Sequence, residues 1–66
     1  MPFIQINLLK GRSSEKKERL IKEVTHTVSE VLDAPPETIR ILINEVEPEH
    51  YGIAGESVKT RREAAK

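Results

Sequence analysis

Leu20, Ile21, Val24, Val28, Val31 and Leu32 recur at three- and four-residue spacing, and this helical run lies between two short stretches of alternating apolar residues. In the first stretch, Phe3 to Leu9, Ile4, Ile6 and Leu8 point one way and Phe3, Gln5, Asn7 and Leu9 the other. In the second, Ile39 to Val46, Ile39, Ile41 and Ile43 share one face, and Arg40, Leu42 and Asn44 share the opposite one. The pattern predicts a strand, a helix to about Leu32 and a second strand. Strands joined through a helical crossover run parallel, with the crossover right-handed in about 98% of cases. The expected fold class is therefore α/β (α+β), a small β-α-β subunit whose helix covers the Ile4/Ile6/Leu8 and Ile39/Ile41/Ile43 faces. Gly11 gives the backbone freedom to leave the first strand. Ser13 and Ser14 are candidate N-caps, with Glu15 suited to the first turn. Pro35 stops the helix by disfavouring helical geometry in Ala34.

This plan leaves a mixed sheet face of Phe3, Gln5, Leu9, Leu42 and Asn44 with nothing to cover it. Tyr51 to Val58, with glycines at 52 and 55, suffices for a short hairpin or arm and not for a roof. Lys59 to Lys66 reads as a charged tail, flexible or a short helix, so residues 1–66 are expected to form one domain. A chain this short hides only about 60% of the surface its unfolded form exposes. It has no cysteine, hence no disulfide or thiolate metal site, and His26 and His50 lie far apart without a pattern of carboxylates, so no metal is expected. Oligomerisation is the staple that remains, and a second copy of the chain is expected against the open face. Lys+Arg and Asp+Glu balance at 11 each, which gives no argument for nucleic acid or a membrane surface. No apolar run approaches the roughly 20 residues of a membrane span and no signal-peptide pattern is present, so a cytoplasmic protein is expected.

Few groups stand out as chemical. No serine is paired with a histidine, and no two carboxylates are spaced for acid–base work. His26 on a charged helix face and His50 beside Tyr51 read as surface residues. Arg12 follows the first strand after a glycine. Arg40 lies between Ile39 and Ile41, where it reads either as a salt bridge across a subunit interface or as a bidentate clamp for a carboxylate. Pro2 heads the first strand, a position that tolerates proline. If Met1 is removed, its nitrogen becomes a secondary amine and a base. With Met1 attached it is a tertiary amide and cannot take a proton.

Pro2, "LLKGRSSEKKERLI" around Arg12, "LDAPPETIRILINE" around Arg40 and "EHYGIAGE" near the end, in that order and spacing, resemble the 4-oxalocrotonate tautomerase family over residues 2 to about 58. The resemblance implies a β-α-β subunit with a short C-terminal hairpin, assembled as a hexamer. It implies an isomerase that moves a proton between enol and keto forms of 2-hydroxydienoates or related enol acids, without cofactor or metal. Pro2 matches the amino-terminal general base, Arg12 and Arg40 the substrate-binding arginines, Leu9 the main-chain contact and Tyr51 the aromatic wall, with sites shared between subunits. An α-amine titrates near 8. A pocket of Phe3, Leu9 and Tyr51 together with two guanidiniums would lower that value towards neutrality. The chain departs from the family in carrying Tyr51 where phenylalanine is usual, Lys10 where glutamate is frequent and Asn7 where histidine is frequent. Gly52, Ile53 and Ala54 supply no carboxylate of the kind that relatives adding water to haloacrylates use, which weighs against hydratase or dehalogenase chemistry. The rival reading is a non-catalytic oligomer whose arginines serve interfaces or bind small anions.

Overall fold

Strands β1 (Phe3–Leu9) and β2 (Arg40–Val46) pair in parallel, in register from Phe3 opposite Arg40 to Leu9 opposite Val46. The structure, a computed structural model, describes residues 2–65, and the expected removal of Met1 lies outside them. Between the strands runs α1 (Ser14–Leu32). Of the two candidate caps, Ser13 serves: its hydroxyl accepts the Lys16 N–H at 3.2 Å. At the far end Asp33 takes the left-handed conformation (φ 53°) and donates its N–H to Ser29, while the Ser29 hydroxyl donates to the Ala34 carbonyl at 2.6 Å. Short polar side chains tolerate this conformation better than most. A 3-10 turn, Pro36–Thr38, then delivers the chain to Ile39, which at 7% exposure is among the most buried residues described. The strand begins one residue later than its alternation predicts, because Ile39 closes that turn through its N–H to Pro36.

The helix side of the sheet is formed by Ile4, Ile6 and Leu8 facing Ile41, Ile43 and Glu45, all half-buried. The other side is open, with Phe3 65% exposed and an Asn44 amide donating to the Asn7 carbonyl oxygen at 3.2 Å. Val31 and Leu32, expected on the helix stripe that meets the sheet, are 75% and 60% exposed instead. Nineteen helical residues span about 28 Å and seven strand residues about 23 Å, so the helix is about one turn longer than the strands it covers.

Beyond β2, a 3-10 turn (Pro48–His50) leads through Tyr51 into an antiparallel pair, β3 (Gly52–Ile53) and β4 (Glu56–Ser57). Ala54 and Gly55 between them have φ of 51° and 87°, as a two-residue type I′ turn requires. Helix α2 (Val58–Ala64) follows, capped by the Ser57 hydroxyl, which accepts the Thr60 N–H at 3.1 Å. Val58 is buried and donates its N–H to the Tyr51 carbonyl at 2.8 Å, which ties the hairpin back to the turn. No helix among the described residues is long and apolar enough to cross a membrane.

The chain exposes 5257 Å², against about 4,250 Å² for a monomer of this mass. Its radius of gyration is 15.4 Å, against about 11 Å for a compact chain of this length.

Candidate active site

The residues singled out by sequence fall into two groups, one at each end of the strand pair. At the end where both strands begin, the Arg40 N–H donates to the Pro2 carbonyl at 3.0 Å, so Pro2 and Arg40 are neighbours through the main chain. The Arg40 guanidinium turns back to the Glu37 carbonyl at 2.7 Å. Phe3 lies opposite Arg40 on the open face.

At the other end, the Arg12 guanidinium donates through Nη1 to the Leu9 carbonyl at 3.1 Å. Leu9 lies opposite Val46, and the chain continues from there into the turn that carries Tyr51. The Arg12 loop is possible because Gly11 sits at φ 130°, in a region that side chains disfavour. Tyr51 is 44% exposed. Its N–H reaches the Pro48 carbonyl at 3.4 Å and its carbonyl takes the Val58 N–H.

The rise of an extended strand puts the two groups about 23 Å apart, measured from Pro2 to Leu9. In one chain, Phe3 and Leu9 therefore cannot line a common pocket, and Pro2 and Arg12 cannot touch one small substrate. A shallow groove lined by Glu56, Arg61, Ala64 and Ala65 takes in none of these residues.

Both arginines are oriented by carbonyl oxygens, and among the described residues no carboxylate forms an ion pair with either. A guanidinium has five N–H donors, so each keeps a face for a bidentate carboxylate. Lys10, by contrast, is engaged: its ammonium lies 2.7 Å from the Glu47 carboxylate. That hydrogen bond, with the attraction behind it, raises Lys10 above its ordinary 10.5 and lowers Glu47 below its ordinary 4.5. The positive charge that Lys10 brings to this end of the strands is thus paired with a carboxylate. His26 pairs with Glu30 at 3.1 Å on the exposed helix face, and His50 is exposed in the turn before Tyr51.

Sequence reading missed Glu45 and Glu47. They look like ordinary strand-end charges until the fold shows that Glu45 meets Lys17 at 3.0 Å and Glu47 meets Lys10. The only signal in the sequence was a pair of acids alternating through the apolar end of a strand.

Residues 2–61 match the family described as Tautomerase enzyme. The chain is 51% identical over 59 residues to 2-hydroxymuconate tautomerase of Stutzerimonas stutzeri, covering 89% of this chain and 94% of that one. Among solved structures it superposes on a 4-oxalocrotonate tautomerase isozyme from Methylibium petroleiphilum with a TM-score of 0.93, at 43% identity over 96% of this chain and 98% of that one. A heterohexamer 4-oxalocrotonate tautomerase from Chloroflexus aurantiacus matches with a TM-score of 0.86, at 32% identity over 89% of this chain and 95% of that one. The parallel β-α-β frame, the terminal hairpin and the extent of these matches place the chain in the tautomerase family, as a keto–enol isomerase of the 4-oxalocrotonate tautomerase type.

Proposed function

We propose that this enzyme converts 2-hydroxymuconate, or a closely related dicarboxylated dienol, to its conjugated keto acid, in a site assembled from neighbouring copies of the chain in a homohexamer. Pro2, freed of Met1, is the base: it lifts a proton from the enol and returns it to a carbon further along. Arg40 holds the carboxylate beside the reacting oxygen and stabilises the charge that develops there. Arg12 grips the carboxylate at the far end, Leu9 presents its main chain and Tyr51 walls the pocket. Desolvation by the apolar wall and repulsion by the guanidiniums both lower the pKa of the amine, so that a useful fraction is neutral at pH 7.

The observation that carries this reading is the pair of arginines at opposite ends of an open sheet face, each oriented by a carbonyl and free to take a carboxylate. The substrate class rests on the 51% identity to a 2-hydroxymuconate tautomerase. The oligomer is supported by the uncovered face and by the heterohexamer among the similar structures.

The test compares ketonisation of 2-hydroxymuconate by protein beginning at Pro2, verified by intact mass, with the same protein acylated at its amino terminus. The free form is expected to turn over with a basic limb near neutrality. The acylated form is expected to lose at least about a hundredfold in kcat, in line with removal of a positioned general base. Equal rates for the two would remove Pro2 from the chemistry.

A further inference from the structure

Resting on the reading of Arg12 as a substrate ligand, we propose that Glu45 and Glu47 are positioning residues that hold the Arg12 loop and thereby set the enzyme's grip on diacid substrates. Both acids project from the end of β2, and each reaches across to one flank of that loop. Glu47 binds Lys10, just before it, at 2.7 Å. Glu45 binds Lys17, in the first turns of α1 just after it, at 3.0 Å. Between these anchors Gly11 sits at φ 130°, Ser13 caps α1, and the Arg12 side chain bonds the Leu9 carbonyl, its one partner among the described residues. The main chain supports the same frame, since the Lys10 N–H donates to the Val46 carbonyl at 3.0 Å.

Glu47 has a second duty. Its carbonyl accepts the His50 N–H at 2.9 Å, which closes the turn that presents Tyr51. One residue therefore joins the Arg12 loop, through its side chain, to the Tyr51 turn, through its main chain.

A bare electrostatic role makes the opposite prediction. Two carboxylates near a cationic site repel a dianionic substrate, so neutralising them should tighten binding. If they position Arg12, neutralising them should weaken it. The sign of the change in KM separates the two.

The experiment measures steady-state kinetics of Glu45→Gln, Glu47→Gln, the double variant and the exchange Lys10→Glu/Glu47→Lys. The substrates are 2-hydroxymuconate, with two carboxylates, and phenylenolpyruvate, with one. Ion pairs that solvent still reaches, half-buried for Glu45–Lys17 and more open for Glu47–Lys10, are worth little individually, so each single variant is expected to raise KM for the diacid about two- to fivefold and the double variant about tenfold, with kcat within twofold. Phenylenolpyruvate kinetics should not move, and the exchange should restore the diacid KM to within about twofold. An unchanged or lowered diacid KM in the double variant overturns the proposal, as does an equal loss for both substrates. Arg12→Ala is the control. If it raises the diacid KM while the Glu variants do not, only the positioning role fails. If it leaves that KM unchanged, Arg12 is not a substrate ligand and both readings fall.

Discussion

Pro2 and Arg12 stand at opposite ends of β1, so two variants that are each defective should repair one another in mixed oligomers. One parent keeps Arg12 and carries an acylated amino terminus. The other is Arg12→Ala with Pro2 free. The strand separates Pro2 from Leu9 by about 23 Å, and the Arg12 guanidinium is held at the Leu9 carbonyl, so the proposed site must take the two residues from different chains. In hexamers assembled at random from equal amounts, half the chains supply a free Pro2 and half supply Arg12, and about a quarter of all sites contain both. Loss of a charge-assisted grip typically removes about 1.5–3 kcal/mol, or about ten- to a hundredfold in kcat/KM. The acylated parent contributes nothing. Simple averaging of the parents therefore gives at most about a twentieth of native activity, whereas shared sites give about a quarter. The assay is the rate with 2-hydroxymuconate well below KM, after the parents are unfolded together and refolded as a mixture. Activity equal to the average of separately refolded parents would refute the shared site and require Arg12 to act on its own chain's pocket or on none.

Arg40→Ala should lower kcat/KM for dicarboxylated dienols by one to two orders of magnitude, since about 1.5–3 kcal/mol is lost with a charged clamp; a dissociated oligomer whose assembled remainder keeps full kcat/KM would make Arg40 structural. Ala54→Gly should stabilise the hairpin by about 1 kcal/mol, because Ala54 occupies a left-handed conformation (φ 51°) that costs a side-chain-bearing residue roughly that much; the midpoint of urea unfolding reads it. The Lys10–Glu47 pair should add its stability only between the titrations of its members. Glu47 is lowered below 4.5, so its share is present above 4.5 and lost as pH falls through the depressed value. Lys10 is raised above 10.5, so its share is present below 10.5 and lost as pH rises through the raised value. The difference in urea midpoint between native protein and Glu47→Gln should form a plateau around neutrality that closes at both extremes, with Glu45 and His50 the other charges acting on the pair.

The alternation of Ile4, Ile6 and Leu8 and of Ile41 and Ile43 made the two strands legible, because a half-buried strand writes its faces into every second residue. The helix was legible for the same kind of reason, at its own period. Its end was less so. Val31 and Leu32 continue the apolar stripe but are exposed, and a periodic pattern does not record how long its partner is. The 3-10 turns at Pro36–Thr38 and Pro48–His50 are built on prolines whose ring fixes φ and which can open either a turn or an extended segment. The candidates for chemistry came from residue type, since an arginine beside apolar strand residues is an unusual choice and a proline after the initiator becomes an amine if Met1 is removed. Their ends of the sheet were legible as well, since Pro2 heads the first strand, Arg12 follows it and the strands run parallel; the carbonyls that orient the two guanidiniums were not. Lys10 shows the cost most plainly. Read alone it is a free charge beside Arg12, and only the fold brings Glu47 to it.

The open sheet face links stability to function. The chain exposes about 1,000 Å² more than a monomer of its mass should, and a specific interface covers about 800 Å² on each partner. Phe3 and Leu42 are among the exposed apolar residues of the face that remains, and the two halves of the proposed site lie at its ends. A neighbouring copy that covers apolar surface also brings a Leu9–Arg12 end towards a Pro2–Arg40 end. In this reading completing the fold and completing the site are one event. It also explains how so short a chain could do acid–base chemistry: the walls proposed to desolvate the amine, and the second guanidinium beside it, would come from other subunits.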